Sequence, residues 1–346
     1  MNKYFKLLEG ITSDETKSST FKENDRVMII DGLNLFLRNF AVINFVNQTG
    51  NHIGGLGGFL RSLGSLIYTI KPTSIYIVFD GKGSSDARKN LLPEYKSGRN
   101  ISRITNWDTF KDISDENNAK MSQVIRLIGY LKCLPIKVTS IDKVEADDII
   151  AHLSVTLAKK HNSKVFIVSE DQDYTQLINE NIVTYRPRRK IFFTPSKVLE
   201  EYKVLVDNFL VYKTLMGDSS DKVSKIKGLG PGKLEKYFPE LSQKVITLQE
   251  IVELSEEKHK EHVIYARVAY ALKNLENNLI IMDLKNPLLS DEEKEFIEAL
   301  IEEPKETLKA KEFLVLYKED GLGNMIKNPT MWLRDNFNIM NSIKNK

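Results

Sequence analysis

Short apolar runs alternate with helical stretches along much of the chain, and this alternation limits the possible folds. Three runs have the length and the β-branched or aromatic content of buried strands: residues 26–30, 75–79 and 165–168. Between them, apolar residues recur with helical spacing over residues 59–70, 121–131 and 147–159. The pattern predicts an α/β fold with a parallel central sheet flanked by helices.

Composition excludes several classes of function. The chain has 346 residues, enough for more than one domain, and its net charge of +3 is too small to indicate a partner. No apolar run has the length of a membrane span, and no secretory signal is evident, so we expect a cytoplasmic protein. Cys133 is the only cysteine and is interpreted as a packing residue, while the five histidines suggest neither zinc nor a histidine-based triad.

Acidic residues follow each predicted strand. Because parallel strands end at one edge of a sheet, the acids after these strands are expected to lie close together. Three more acids begin a helix that should start from the same edge, and another pair follows an apolar helix. The full set is Asp31, Asp80, Glu145, Asp147, Asp148, Asp171, Asp173, Asp218 and Asp221.

Any one of these acids could be a turn residue or a helix cap. So many carboxylates in one cleft would repel each other, and ionised carboxylates are costly to desolvate, so a positive partner is needed. Oxygen ligands without histidine or cysteine indicate magnesium or manganese. Two such ions about 4 Å apart would suit displacement at phosphorus. We expect Glu145 to lie just before the regular helix rather than on its acidic face.

Basic and aromatic residues follow Asp80 in the segment 82–103. The segment includes Lys82, Arg88, Tyr95, Lys96 and Arg99. Cations interleaved with aromatic rings suit a nucleic-acid backbone and an unpaired base. A solvated loop is the alternative, but the position directly after Asp80 favours nucleic acid. A second basic cluster at 186–190 is interpreted as a solvated hairpin.

A glycine-rich turn at 226–233 leads into a helix. Its candidate DNA contacts are Lys227, Gly228, Gly230, Gly232 and Lys233. Glycines allow backbone N–H groups to approach a phosphate closely, and a helix N-terminus favours anions. A glycine-rich turn alone is weak support, but the surrounding lysines make it a candidate grip on duplex DNA without sequence specificity.

Five motifs together resemble the flap-endonuclease-like 5′ nucleases, which have a PIN-like core. This group includes the 5′–3′ exonuclease domains of bacterial DNA polymerase I and phage enzymes called ribonuclease H or 5′-exonuclease. The resemblance covers roughly residues 26–280. The motifs are Ile29-Ile30-Asp31-Gly32, Val78-Phe79-Asp80-Gly81, Val144-Glu145-Ala146-Asp147-Asp148-Ile149, Ser169-Glu170-Asp171-Gln172-Asp173 and Gly217-Asp218-Ser219-Ser220-Asp221.

The resemblance implies roles for these residues. A first ion would be held by Asp31, Asp80, Glu145 and Asp147, with Asp148 in support through water. A second would be held or supported by Asp171, Asp173, Asp218 and Asp221. Lys96 and Arg99, at the foot of a helical arch, would contact the scissile phosphate, and Tyr95 would stack on a base. The turn at 226–233 matches the helix–hairpin–helix of the family, which also binds potassium through backbone carbonyls.

The resemblance also implies an activity and partners. The activity is two-metal hydrolysis of phosphodiesters with magnesium, for which manganese can substitute. Its substrates would be DNA with a 5′ flap, nick or gap, or RNA primers in an RNA–DNA hybrid, in replication or repair. A single-strand-binding protein or a sliding clamp would be candidate partners of a monomeric enzyme. Because no room remains for a polymerase domain, we expect a stand-alone nuclease of a phage or small bacterial kind.

The expected organisation has four parts: an extension at 1–24, a nuclease core at 25–205 with an arch at about 82–120, a helix–hairpin–helix subdomain at 206–285 and a helical extension at 286–346. We expect the tail around Trp332 to pack on the body rather than to bind a partner. Two rival functions are a PIN-type ribonuclease and a nucleic-acid-binding protein with a vestigial site. The segment 217–233 argues against the first, and the complete set of acids argues against the second.

Overall fold

The computed structural model describes residues 22–97, 105–106 and 108–343, and their strands form one six-stranded sheet. Its strands are β1 Arg26–Asp31, β2 Ser74–Val78, β3 Lys137–Thr139, β4 Lys164–Val168, β5 Ile182–Arg186 and β6 Ile191–Phe193. Their spatial order is β3-β2-β1-β4-β5-β6, and only the β5–β6 pair is antiparallel. All but the last three residues of the expected N-terminal extension lie outside the described part.

Helices cover both faces of the sheet and form most of the chain beyond it. Within the core they are α1 Gly32–Val42, α2 Gly54–Ile70, α3 Asp86–Leu91, α4 Ile113–Leu131 and α5 Ala146–Lys160. After the sheet come α6 Pro195–Tyr202, α7 Phe209–Met216, α8 Pro231–Tyr237, α9 Glu240–Gln243, α10 Leu248–Glu257, α11 Val263–Ala269 and α12 Leu272–Met282. The last three are α13 Asp291–Glu302, α14 Ala310–Glu319 and α15 Pro329–Ser342.

Successive residues of β1 pack against opposite faces of the sheet. Met28 and Ile30 belong to a core that contains residues of α1, α2, α4, α14 and α15. Val27 and Ile29 belong to the opposite core, formed mainly with α5 and α13. The period-2 alternation of a strand therefore places β1 at the centre of a three-layer structure, with its C-terminal end, Asp31, buried at the edge of the sheet.

A third hydrophobic core lies in the segment from β6 to α12. Phe209 and Leu215 of α7, Ile226 and Leu229 of the glycine-rich turn and Leu234 of α8 are all buried in it. The turn is thus fixed by its own apolar residues, while the lysines between them face solvent.

The C-terminal helices pack on the sheet domain. The ring of Trp332 in α15 lies so close to α2 that a Cβ built on Gly64 would be 2.3 Å from its Nε1. Lys137 of β3 donates from Nζ to the carbonyls of Leu300 (2.9 Å) and Ile301 (2.8 Å). Its ammonium group therefore places a positive charge at the C-terminal end of α13. The tail therefore packs on the body, as expected.

The predicted parallel central sheet with flanking helices is confirmed, except that β6 is antiparallel, and three of the six strands were expected. The sequence did not indicate β3, β5 or β6. β3 has only three residues, and β5 carries Thr184 and Arg186 within a buried strand. α2 and α4 begin five and eight residues earlier than their apolar spacing suggested.

Among the described residues, no helix combines the length and the apolar character needed to cross a bilayer.

Candidate active site

Three carboxyl groups meet beyond the ends of β1, β2 and β4. Asp31 ends β1 and accepts a hydrogen bond from the backbone N–H of Asn34 at 3.0 Å, which caps α1. Burial raises the pKa of Asp31 to about 7; the Asn34 hydrogen bond opposes this, and repulsion from Asp80 and Asp171 adds to it. The carboxyl groups of three different strand ends therefore share one poorly solvated place.

Two glycines that follow the strand-end acids allow this close approach. A Cβ on Gly32 would lie 2.6 Å from the ring of Phe79, so α1 could not begin directly against the end of β2. A Cβ on Gly81 would lie 1.7 Å from the carbonyl oxygen of Ile141, which passes beneath it. A side chain at position 32 would require the ring of Phe79 to move, and one at position 81 would require the backbone at Ile141 to move. The Asp-Gly pairs are thus explained by packing as well as by chemistry.

Asp147 lies in the first turn of α5 and faces the same acids. The hydroxyl group of Tyr174 donates a hydrogen bond to its Oδ1. Burial raises the pKa of Asp147 well above its ordinary value, and repulsion from Asp171 and Asp31 adds to the shift. The side chain of Tyr174 is fully buried, so this hydrogen bond is shielded from water.

Glu145 precedes α5, as expected, and is surrounded by donors. Its side chain is 1% exposed and accepts from Lys96 Nζ at 2.7 Å and from the Tyr95 hydroxyl at 3.2 Å. Arg88 Nη1 lies 3.1 Å from its Oε2. Burial alone would lower the pKa of Lys96, but the Glu145 carboxylate outweighs it and raises that pKa. The foot of the expected arch is therefore tied directly to one of the predicted metal ligands.

Asp148 begins the same helix and is bound by an arginine. Arg88 binds it with two nitrogens, at 2.6 and 3.0 Å, and the backbone N–H of Leu288 donates to it at 3.0 Å. Arg88 itself is 3% exposed and also donates to the carbonyl of Ile281. These donors fix both oxygens of Asp148, and its expected support of the first ion through water stays a prediction.

A second group of acids surrounds Lys213 of α7. Its Nζ lies 2.7 Å from Asp173 and 3.0 Å from Asp218. Burial alone would lower the pKa of Lys213, but these two carboxylates raise it. Burial raises the pKa of Asp173, although Lys213 opposes that shift. The backbone carbonyl of Asp221, in the loop after α7, accepts from the backbone N–H of Lys96 at 3.2 Å and so connects the two groups of acids.

A cleft of about 830 Å³ opens beside the second group. Asp171, Asp218 and Lys213 are among the residues that line it. Lys222 and Lys225, both exposed, also line it. An anionic ligand in this cleft would thus meet cationic side chains as well as acids.

Four of the acids, Glu145, Asp148, Asp173 and Asp218, form ion pairs with cations of the protein itself. In the described ranges, no three acidic, histidine or cysteine side chains are arranged so that they could hold a metal ion together. The donor set is nonetheless that of a hard divalent cation, since it consists of carboxylates alone. The raised pKa values of Asp31, Asp147 and Asp171 show that added positive charge would be stabilising. The chemistry of these residues therefore fits divalent ions, provided that the ammonium groups of Lys96 and Lys213 move away from the carboxylates that they now bind.

Residues 26–203, which contain most of these acids, match the family model for the 5′–3′ exonuclease, N-terminal resolvase-like domain. A flap endonuclease Xni of Shewanella woodyi is 31% identical over 257 residues, which are 73% of this chain and 93% of that protein. The chain belongs to the 5′–3′ exonuclease family. As a member of this family, it is a 5′ nuclease.

This chain matches a different fraction of the length of each of its other relatives. A 5′–3′ exonuclease of Buchnera aphidicola is 30% identical over 210 residues, covering 60% of this chain and 68% of that protein. DNA polymerase I of Bacillus subtilis is 30% identical, but the match covers only 26% of it. A bacteriophage T5 flap endonuclease, solved in a product complex with DNA and metal ions, has a TM-score of 0.63 at 18% identity, covering 80% of this chain and all of that one. That likeness supports the fold.

Two of the expected DNA contacts of the exonuclease are buried. Tyr95 is 4% exposed and donates to Glu145, so its ring is not available to stack on a base. Arg88 is held in the ion pairs described above and cannot reach a phosphate. Lys82 is exposed and Lys96 is half-buried beside the acids, so both remain candidate contacts. Arg99 lies outside the described residues.

The glycine-rich turn of the exonuclease presents cations to solvent. Lys227 and Lys233 are exposed, while Ile226 and Leu229 anchor the turn in the third core. Gly228 has a φ of 79°, a conformation that other residues rarely adopt, and its site has Arg267 close by. Gly230 caps α8 and Gly232 lies in its first turn, both without close neighbours that a Cβ would meet.

Several residues that shape the site were not predicted from the sequence. Lys213 is the one charged residue of the otherwise apolar or uncharged α7, and this was a signal that could have been read. Tyr174 and Arg267 left no comparable signal. Their hydrogen-bond partners, Asp147 and the carbonyl of Lys227, are distant in sequence. In the cluster at 186–190, Arg186 is buried against the ring of Phe193 at 3.7 Å and is not solvated as expected.

Proposed function

We propose that this exonuclease holds two magnesium ions with its acids and hydrolyses phosphodiesters near the 5′ ends of DNA strands. Its substrates would be 5′ flaps, nicked or gapped duplexes and RNA primers annealed to DNA. The observation that carries the proposal is the convergence of carboxyl groups from three strand ends, α5 and the loop after α7, with raised pKa values at Asp31, Asp147 and Asp171. Such a cluster is costly without cations.

The two ions would divide the acids as follows. The first would be held by Asp31, Asp80, Glu145 and Asp147, and the second by Asp171, Asp173, Asp218 and Asp221. When bound, divalent ions supply positive charge that stabilises the charge developing on a phosphoryl group during its transfer. Asp148 is left out of both sets because Arg88 and Leu288 already use its oxygens.

Lys96 would change partners during the reaction. Without substrate, its ammonium group neutralises Glu145 at 2.7 Å. A scissile phosphate at the acid cluster would offer a second anion within reach of the same side chain, because Lys96 lies between Glu145 and solvent. Transfer of Lys96 to the phosphate would release Glu145 and would orient the phosphodiester for in-line attack. Arg99, from the same segment, is proposed as a second phosphate contact.

The glycine-rich turn would hold the duplex part of the substrate. Lys227 and Lys233 would neutralise phosphates without reading sequence. The guanidinium group of Arg267 donates to the carbonyl of Lys227 at 2.6 Å, so the turn already has a cation of the protein against its backbone. The proposed potassium ion would therefore bind through the other carbonyls of the turn.

Its place of action would be the cytoplasm of a bacterial or phage-infected cell, as the bacterial relatives suggest. A single-strand-binding protein or a sliding clamp is proposed as a partner at the replication fork.

The test is a cleavage assay on a duplex with a labelled 5′ flap, in magnesium and in EDTA. We expect magnesium-dependent cutting near the junction by the wild-type chain and none by Asp173→Asn. Asp291→Asn is the matched control, because its side chain is 94% exposed at the start of α13. The same substrate with a nick, a gap or an RNA primer in place of the flap would rank the substrates.

Binding is measured in parallel with calcium in place of magnesium. Tight binding of the flap duplex without cutting in magnesium would refute the nuclease and favour a DNA-binding role. Normal cutting by Asp173→Asn would refute the assignment of the second ion. Cutting that is lost equally in Asp291→Asn would indicate damage to the fold instead of the site.

A further inference from the structure

One hydrogen bond crosses between the two proposed metal sites. Tyr174 follows Asp173, which belongs to the second set of acids, but its hydroxyl group donates to Asp147 of the first set. Its ring is fully buried in the core between the sheet and α5. The donor therefore reaches the acid cluster from the protein interior, where burial of the tyrosine strengthens the hydrogen bond.

The turn that carries Tyr174 is itself held in place. Residues Asp173–Leu177 form a short 3-10 helix. The side-chain amide of Gln176 donates to the carbonyls of Asp173 and Met282, both at 2.9 Å, and its oxygen accepts from the backbone N–H of Leu284 at 3.0 Å. These bonds join the turn to the end of α12. The position of the Tyr174 hydroxyl group is thus set by the backbone around it and by the packing of its ring.

We propose that Tyr174 is a positioning residue that fixes the carboxylate of Asp147 in the orientation needed to bind a divalent ion. The inference rests on the proposed metal sites. A buried carboxylate without this donor could rotate about its Cβ–Cγ bond and would lose part of its pre-organisation. Because Tyr174 is bonded through the backbone to Asp173, a shift of the turn would also move ligands of both ions together.

The test is calcium binding by calorimetry, without DNA, in the full chain and in Tyr174→Phe. Phenylalanine keeps the ring and removes only the donor. We expect the affinity for calcium to fall about 10-fold, as is typical when a hydrogen-bond partner of a metal ligand is removed. In cleavage assays, the magnesium concentration for half-maximal rate should rise by a similar factor, while the rate at saturating magnesium changes far less.

Tyr76→Phe is the matched control. Tyr76 is equally buried in the same core, and its hydroxyl group donates to Asn24 at 3.3 Å, not to an acid of the cluster. The control should bind calcium as the wild type does. A calcium affinity of Tyr174→Phe that equals that of Tyr76→Phe would overturn the proposal.

A double-variant cycle separates positioning from a general effect on the fold. In the Asp147→Asn background, Tyr174→Phe should produce no further loss of calcium affinity. A loss of the same size in that background would overturn the proposal, since the hydroxyl group would then act through something other than Asp147. If the wild-type chain neither binds calcium nor cleaves in magnesium, the proposed function itself fails. If it does both and Tyr174→Phe is unchanged, only the role of Tyr174 fails.

Discussion

Replacing Asp31 with asparagine should make the metal-free protein more stable while it abolishes cleavage. The asparagine oxygen can still accept from the backbone N–H of Asn34, so the cap of α1 is retained. What is lost is a negative charge that burial and two neighbouring carboxyl groups make unfavourable. The substitution therefore isolates the electrostatic cost of placing this acid in the cluster.

The size of the effect follows from the pKa of Asp31, which is raised from 3.8 to about 7. The folded state then binds more protons than the unfolded state between these pKa values, so stability falls as pH rises through this window. At pH 8, where the folded side chain is ionised, carrying this acid costs about 4 kcal/mol of stability. At pH 5, where the folded state binds a proton that the unfolded chain has mostly lost, it costs about 2 kcal/mol.

The assay is urea unfolding of the wild type and Asp31→Asn in EDTA at pH 5 and pH 8, and again at pH 8 with magnesium. In EDTA, the variant should be the more stable protein, with the larger difference at pH 8. Magnesium should stabilise the wild type and reverse the order, since binding to the folded state adds to its stability. A variant that folds but is less stable than the wild type at pH 8 in EDTA would refute the electrostatic argument.

Three further predictions concern the ion pairs and the C-terminal helices. Arg88→Met should destabilise the fold by about 3–5 kcal/mol in urea unfolding, because it leaves Asp148 buried without its partner; adding Asp148→Asn should recover part of this loss. Lys96→Met should slow single-turnover cleavage by about 10²-fold or more without weakening calcium binding in the absence of DNA. Gly64→Ala should destabilise the protein by about 1–3 kcal/mol, measured by thermal unfolding, because its Cβ would displace the packed ring of Trp332.

The sheet edge and its acids could be predicted because both depend on short-range signals. A run such as 26–30 identifies a buried strand by composition, and an acid directly after it is placed by the geometry of parallel strands. The position of Glu145 just before α5 followed from the helical repeat alone. No knowledge of which strands are neighbours was needed for either inference.

The partners of those acids could not be predicted in the same way. Arg88 and Asp148 are 60 residues apart in sequence, and Arg88 also reaches the carbonyl of Ile281, 193 residues away. Such pairs depend on how α3, α5 and α12 pack, which residue spacing does not report. For this reason, Arg88 was predicted to be an exposed DNA contact, whereas tertiary packing buries it.

Placement of the C-terminal helices depended on similar long-range contacts. Lys137 lies in a three-residue strand that the sequence did not reveal, yet it caps α13 through two carbonyls. Arg126 of α4 likewise binds Asp320, at the end of α14, at 2.7 Å. These cationic side chains connect the sheet domain to a segment in which no motif is recognisable, so the sequence could predict that a helix packs there but not where.

The two lysines in the acid cluster have a consequence for the order of binding. Lys96 neutralises Glu145, and Lys213 neutralises Asp173 and Asp218. Divalent ions at the proposed sites would compete with these ammonium groups for the same oxygens, so we expect a lower metal affinity without DNA than the donor set alone would give. A substrate phosphate that attracted Lys96 away from Glu145 would remove part of that competition. Because such coupling is reciprocal, bound metal would then strengthen DNA binding by the same factor. On this proposal, the lysines neutralise the metal-free cluster, and full metal occupancy depends on substrate.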